Sequence, residues 1–257
     1  VAPELLIIAG LDPSGGAGLL ADVRVAEQHG VRGLGVATAL TVQNSQLVAA
    51  ANPVDPDIVV EQLAAILGDV EIAAVKLGML GSMAVARAVA AALDQTAAPL
   101  VWDPVLAATI GGVALLDGPA GDALAELARH VALLTPNAVE AHALTGIEVV
   151  DEASAVAAGR ALLARGVPAA LIKGGHVAGA ADEVVDWLVT AVEVVALRGP
   201  RRAGPAVHGT GCALSTAIAS HLAHGVALAE ACRRARAWLD GRLAAPVTSG
   251  RGRPSVM

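Results

Sequence analysis

Strand-length apolar runs alternate with longer helical patterns along this chain, and that alternation, more than any single motif, restricts what it can fold into. The runs cover residues 5–9, 34–40, 72–77, 100–102 and 132–134, and the helical patterns cover 18–29, 57–67, 84–93 and 121–130, with another helix after Pro136. A strand that passes through a helix before the next strand makes a crossover, which renders the pair parallel and lays helices on both faces of the sheet. Three later runs, 169–172, 184–189 and 192–197, are joined by short connections that favour antiparallel pairing. Helices over 210–224 and 228–243 close the fold. No linker-like stretch interrupts this pattern, so one domain is expected over residues 1–245 and a flexible tail over 246–257. The fold class is α/β, a three-layer α-β-α arrangement around a mostly parallel central sheet.

Hydrophobic residues make up 55% of the chain and the mean hydropathy is +0.64, values that by themselves suit a membrane protein. The surplus is Ala, Val and Leu spread through amphipathic segments, and no stretch reaches the roughly 18 uncharged apolar residues that a spanning helix needs. Glu4 stands where a secretory signal would be basic, which points to a cytoplasmic protein. Two cysteines, Cys212 and Cys232, do not make a disulfide framework and fit a reducing compartment. A net charge of −7 argues against nucleic acid and anionic membrane as partners. Of three short basic clusters, the one at 233–236 reads as a solvated helix face. His29, His130, His142, His221, His224 and Cys232 fall in helical patterns or at their ends and read as structural.

Open parallel sheets bind ligands beyond the carboxyl ends of their strands. Glycine and polar residues gather at those places, at 12–18, 41–45, 76–81, Asp103 and 136–140. Gly16-Ala-Gly18-Leu-Leu-Ala21 fits a loose dinucleotide fingerprint, but the second strand ends in Thr41-Val-Gln43-Asn44, without the acid that such a site needs for the ribose. A P-loop is absent because no Gly-Lys pair occurs, and the HRD and DFG signatures of protein kinases are missing too. What remains is His208-Gly209-Thr210-Gly211-Cys212, a glycine turn running into a long helix. Free N–H groups and the positive end of the helix dipole make it an anion site, and an anion site beside a potential base suggests phosphoryl transfer. The plainer reading of the same turn is that Thr210 caps the helix.

These motifs together resemble the hydroxymethylpyrimidine/phosphomethylpyrimidine kinases of thiamine biosynthesis, within the ribokinase-like superfamily. The matching stretches are Ala9-Gly10-Leu-Asp12-Pro-Ser14-Gly15-Gly16-Ala-Gly18, Ala21-Asp22, Thr38-Ala-Leu-Thr41-Val-Gln43-Asn44, Val75-Lys76-Leu-Gly78-Met79-Leu-Gly81, Asp103-Pro104-Val105, Thr135-Pro136-Asn137 to Glu140-Ala141, Lys173-Gly174-Gly175-His176 and 208–212. The resemblance spans residues 5–243 and implies an enzyme that uses ATP and magnesium to phosphorylate 4-amino-5-hydroxymethyl-2-methylpyrimidine and then its monophosphate. It implies that Gly10, Asp22, Gln43, Met79 and Val105 line the pyrimidine pocket, with Asp22 accepting from the exocyclic amine and Gln43 bonding the ring nitrogens. Met79 would lay its sulfur against the ring in a chain that has no Phe or Tyr; otherwise it fills the core. Asn137, Lys173 and His208 fall to the nucleotide, and Glu140 and Asp103 to the magnesium ion, held through waters and phosphates. The alternative for Glu140 is an ordinary first-turn charge. Cys212 is the expected base, with Gly209, Thr210, Gly211 and Lys173 assisting, and the helix start is expected to lower its thiol pKa. A homodimer is implied as well.

Leu11 and Pro13 stand where many members carry serines, Val207 replaces a common threonine, and 107–112 lacks the more frequent serine-glycine. These departures bear on substrate preference, and pyridoxal or pyridoxine is the alternative substrate. A pyrimidine-binding regulatory module without turnover is the reading from another class; the full set of Cys212, Lys173, Glu140 and the turn glycines argues against it.

Overall fold

The computed structural model describes residues 1–106, 115–175 and 182–257; the loop stretch 107–112 and His176, both singled out above, lie outside them. The elements run β1 (Glu4–Leu11), α1 (Gly18–Gln28), β2 (Arg32–Gln43), β3 (Val48–Pro53), α2 (Pro56–Leu67), β4 (Ala74–Leu77), α3 (Met83–Leu93), β5 (Leu100–Trp102) and α4 (Ala120–Leu127). They continue with β6 (Val131–Leu134), α5 (Ala138–Thr145), α6 (Glu152–Leu163), β7 (Ala169–Ile172), β8 (Glu183–Thr190), β9 (Val194–Pro200), α7 (Thr210–Ala223) and α8 (Leu228–Leu243). One nine-stranded sheet has the order β3-β2-β1-β4-β5-β6-β7-β8-β9. The six strands from β2 to β7 are parallel, and β3, β8 and β9 pair antiparallel at the two edges.

The period-two geometry of a strand explains the layers. In β1, Leu6 and Ile8 pack with Val59, Leu63, Val85 and Val89 of α2 and α3 on one face, while Leu5, Ile7 and Ala9 pack with Val25, Ala217 and Ile218 of α1 and α7 on the other. Both faces are covered, so the strand reads as a continuous apolar run. Helix starts are set by local chemistry: Asp55 precedes Pro56 and accepts from Asp57 N–H, and Ser82 accepts from Val85 N–H.

Four features differ from the sequence reading. β2 extends through Gln43, so Thr41 and Gln43 stand on a strand rather than beyond it. β3 carries an Ala-rich stretch with little strand propensity and is drawn in by its turn, where Asn44 Oδ1 accepts from Gln46 and Leu47 N–H. α6 is an additional helix, begun by an Asp151–Ser154 capping box. The stretch 246–257, expected to be flexible, folds back on the body: Val247 and Ser255 exchange backbone hydrogen bonds, and Val256 is buried in the second core. Among the described residues, no helix is long and apolar enough to cross a membrane.

Candidate active site

A cavity of about 860 Å³ opens at the carboxyl edge of the parallel strands. Chain direction across the sheet reverses beside β1, which lies between β2 and β4, and the crevice that such a switch leaves is where open α/β sheets take ligands. Gly10, Gln43, Met79, Asp103, Val105, Asn137, Glu140, Lys173, His208, Gly209, Thr210, Gly211 and Cys212 all line this one cavity.

On the cavity wall, Gly10 makes room for Met79: a Cβ on Gly10 would lie 2.7 Å from the Met79 sulfur. Met79 also touches the small cluster of Ala39 and Leu115, so it serves the core and the cavity wall together. Gln43 Nε2 lies 3.0 Å from His208 Nε2, and the same ring nitrogen lies 3.2 Å from Asp12 Oδ2. Burial works to raise the Asp12 carboxyl, but hydrogen bonds from His208 and Ser14 outweigh it and hold the group below its ordinary value. The His208 ring therefore meets Gln43 and Asp12, and the residue borders the same cavity as Asn137 and Lys173, with which it is expected to serve the nucleotide.

Asp22, expected to line the pyrimidine pocket, is fully buried and is not among the residues lining the cavity; Lys76 Nζ donates to its Oδ2 at 2.5 Å and Thr216 Oγ1 to its Oδ1 at 2.8 Å. Its burial and its absence from the lining, rather than a lack of acceptor sites, keep this carboxylate from meeting a ligand amine in the cavity. Lys76, itself fully buried in β4, is the residue that reaches the cavity. Burial opposes its charge, yet Asp22, with Cys212 and Asp103, raises the ammonium above its ordinary value.

Directly after His208, α7 begins at Gly209, whose φ of +79° gives a left-handed turn, and the helix's first residues, with their free N–H groups, border the cavity. Gly209 is the N-cap; Thr210 is the first helical residue and makes no capping bond, so the plainer reading of the turn does not hold. A Cβ on Gly211 would lie 3.0 Å from Lys173 Nζ and 3.2 Å from Asp103 Oδ2, so its bare face admits this ion pair. Lys173 Nζ lies 2.5 Å from Asp103 Oδ1 and 3.9 Å from Glu140 Oε2. Burial works against the Lys173 ammonium, but the two carboxylates raise it well above its ordinary value. Burial, with Asp103 adding to it and Lys173 opposing, pushes Glu140 up to about 7.

Asn137 and Glu140 also form a reciprocal capping box: Asn137 Oδ1 accepts from Glu140 N–H at 3.0 Å and Glu140 Oε2 from Asn137 N–H at 2.7 Å. The helix-start role of Glu140 is thus present, and its side chain still borders the cavity. Among the described residues no cluster of three ligating side chains exists. Two carboxylates flanking an anion turn nevertheless fit magnesium, which keeps its waters and uses one or two carboxylates together with substrate phosphates.

Cys212 stands in the first turn of α7, but its thiol is pushed up to about 12 rather than lowered. Burial is the first cause; Asp22 and Asp103 add to it, and Lys76 opposes. The dipole argument fails because a helix start lowers a thiol most where solvent or cations can share the charge, and here two carboxylates face it.

The far wall holds two residues that sequence reasoning missed. Asp186 Oδ1 accepts from Gly174 N–H at 2.8 Å and Oδ2 from Arg236 Nη1 at 2.7 Å. Arg236 is buried, so the basic run is only partly a solvated face: Arg233 and Arg234 turn outward to Glu230 and Arg236 turns in. The signal available for Lys76 and Asp186 was a single charge inside an apolar strand, which requires a buried partner.

A family description for phosphomethylpyrimidine kinase matches residues 12–257. A hydroxymethylpyrimidine/phosphomethylpyrimidine kinase of Haemophilus influenzae is 38% identical over 253 residues, covering 97% of this chain and 94% of that protein. The crystal structure of a phosphomethylpyrimidine kinase from Clostridium difficile superposes with a TM-score of 0.81 at 31% identity, covering 95% of this chain and all of that one. A pyridoxal kinase of Bacillus subtilis, solved as an ADP complex, gives a TM-score of 0.89 at 26% identity, covering 99% and 96%. With the match running from the Asp12 loop through the anion turn to the last residues, this chain belongs to the phosphomethylpyrimidine kinase family.

Proposed function

We propose that the protein transfers the γ-phosphoryl group of ATP to the hydroxymethyl group of 4-amino-5-hydroxymethyl-2-methylpyrimidine, and then a second phosphoryl group to the resulting monophosphate. The observation that carries this reading is one cavity lined both by Gln43, His208 and Met79 and by the anion turn with Lys173 and Cys212. The pyrimidine sits against Gly10, Met79 and Val105, with Gln43 bonding a ring edge. The turn of Gly209, Thr210 and Gly211 offers N–H groups to the transferring phosphoryl, and Lys173 neutralises nucleotide charge near Asn137. The substrate oxygen bonds to the γ-phosphorus as the bond to the bridging oxygen of ADP breaks, and the hydroxyl proton passes to the thiolate form of Cys212, leaving a neutral thiol. Asp103 and Glu140 are the residues to hold magnesium, which would screen phosphate charge when bound. The reading describes a cytoplasmic homodimer acting on small molecules, without nucleic acid or membrane.

Mass spectrometry and phosphorus NMR of the products formed from the pyrimidine and ATP test it, with mono- and diphosphorylated products expected. The similarity to the Bacillus subtilis enzyme favours one second reading, pyridoxal as substrate; a tenfold or greater preference for pyridoxal in steady-state turnover would replace the first. Glu140→Gln keeps the shape and the capping bond but removes the charge. It is expected to lower turnover and shift the magnesium optimum upward, and an unchanged magnesium dependence would move the metal role to Asp103 alone.

A further inference from the structure

We propose that residues 247–256 are a positioning element for the substrate end of the cavity, holding the β2–β3 turn and His208 in register with each other. This rests on the pyrimidine reading above for the ligand, but not for the contacts. The segment doubles back through Gly250, whose φ is +75°, and its two arms pair between Val247 and Ser255. It then makes two sets of bonds. Gly252 N–H donates to Ser45 Oγ at 3.1 Å and Arg253 N–H to Ser45 O at 3.0 Å. Pro254 O accepts from His208 N–H at 2.8 Å, and Val256 N–H donates to His208 O at 3.2 Å. Both contacts of the segment are therefore made through backbone groups, to two stretches of chain that meet again across the cavity.

Ser45 lies two residues beyond Gln43, whose amide meets the His208 ring at 3.0 Å. β3 is the edge of the sheet and, among the described residues, pairs only with β2, so the end of this hairpin depends on tethers outside the sheet. A two-stranded hairpin end is marginally stable by itself, and an untethered Gln43 would lose part of its fixed geometry. His208 on the other side precedes the left-handed Gly209, where backbone freedom is largest. The segment ties these two pliable places together, with Val256 anchoring it in the core and Arg253 and Pro254 closing the cavity wall. Preorganisation of this kind acts on ligand affinity by lowering the ordering cost of binding.

Gly252→Val tests it, because a Cβ at that position would lie 2.0 Å from Ser45 O and 2.2 Å from Ser45 C, so the segment cannot lie against the turn. The expected result is a rise of about tenfold in KM for the pyrimidine, about 1.4 kcal/mol in binding, with KM for ATP and turnover within about twofold of wild type. Ser45→Ala removes only the Oγ acceptor and is expected to give the same split at two- to threefold, which keeps the test available if the valine variant folds poorly. Hydrogen exchange by mass spectrometry is the substrate-independent arm: in Gly252→Val, amides of 44–47 and 207–209 are expected to exchange faster together. Equal changes in both Michaelis constants, or faster exchange confined to 247–257, would overturn the proposal. Loss of activity toward the pyrimidine in the wild-type protein would overturn the substrate reading while leaving the exchange result to judge the tether.

Discussion

Cys212→Ala is expected to lose on the order of 10²- to 10⁴-fold in turnover while binding nucleotide and pyrimidine about normally, the usual share of a general base. The wild-type pH profile is expected to carry a second signature. A thiol pushed up to about 12 is protonated at neutral pH, so its thiolate population rises about tenfold per pH unit through the measurable range. Turnover of the wild type should therefore climb between about pH 6.5 and 9, and that of the alanine variant should stay nearly flat. Cys212→Asp, whose carboxyl is ordinarily a far stronger acid than a thiol, should recover part of the activity and move the climb to lower pH. Single-turnover kinetics decide the matter. A chemical step in the alanine variant within about threefold of wild type removes Cys212 from the mechanism and leaves the anion turn and Lys173 to account for the rate.

Lys76→Met is expected to have the largest effect on stability. Asp22 would keep Thr216 but lose its only cationic partner among the described residues, at a site without solvent exposure. Removing one member of a buried ion pair costs about 3–5 kcal/mol, because the other is left as an uncompensated charge. At roughly 2–4 °C per kcal/mol for a chain near this size, the melting temperature should fall by about 6–20 °C. The double variant Lys76→Met, Asp22→Leu should regain much of the loss, since apolar replacement of a whole buried pair is often close to neutral. Thermal unfolding of the two variants measures this, and a single-variant cost below about 1 kcal/mol would show that the pair carries little charge in the native state.

Much of the sheet was legible because β1, β5, β6 and β7 are covered on both faces and so read as apolar runs, with β4 interrupted at Lys76 alone. β3 was not, since its alanines have no period of their own and its pairing is imposed by the Asn44 turn. The same division runs through the site. Residues at strand ends and at the glycine turn could be named from local pattern, and nearly all of them do border the cavity. Their partners could not, because each is chosen by distant chain: Asp22 is taken by Lys76 from β4, and His208 by Gln43 and Asp12 from the other end of the chain. Without its partner a buried carboxylate such as Asp22 reads as a ligand contact. The thiol of Cys212 went astray for a related reason, as a helix start is a local feature but the two carboxylates that oppose it are not. The docked 247–256 segment is the extreme case, since little in its Gly- and Arg-rich sequence announces a partner and its hold comes from backbone groups.

The glycine at position 209 has a consequence for how this enzyme can diverge. A Cβ there would lie 2.0 Å from the carbonyl oxygen of Gly16, backbone against backbone, where no side chain can yield. The loop that follows β1 and the turn that opens α7 are thus in direct contact, although they come from opposite ends of the chain. A change that shifts one displaces the other, so substitutions in the two loops will not combine independently. Selection for a new acceptor that reshapes the Asp12–Gly18 loop will therefore also disturb the phosphoryl-binding turn, and lineages that alter specificity must do so through the β2–β3 wall or by changing both loops in concert.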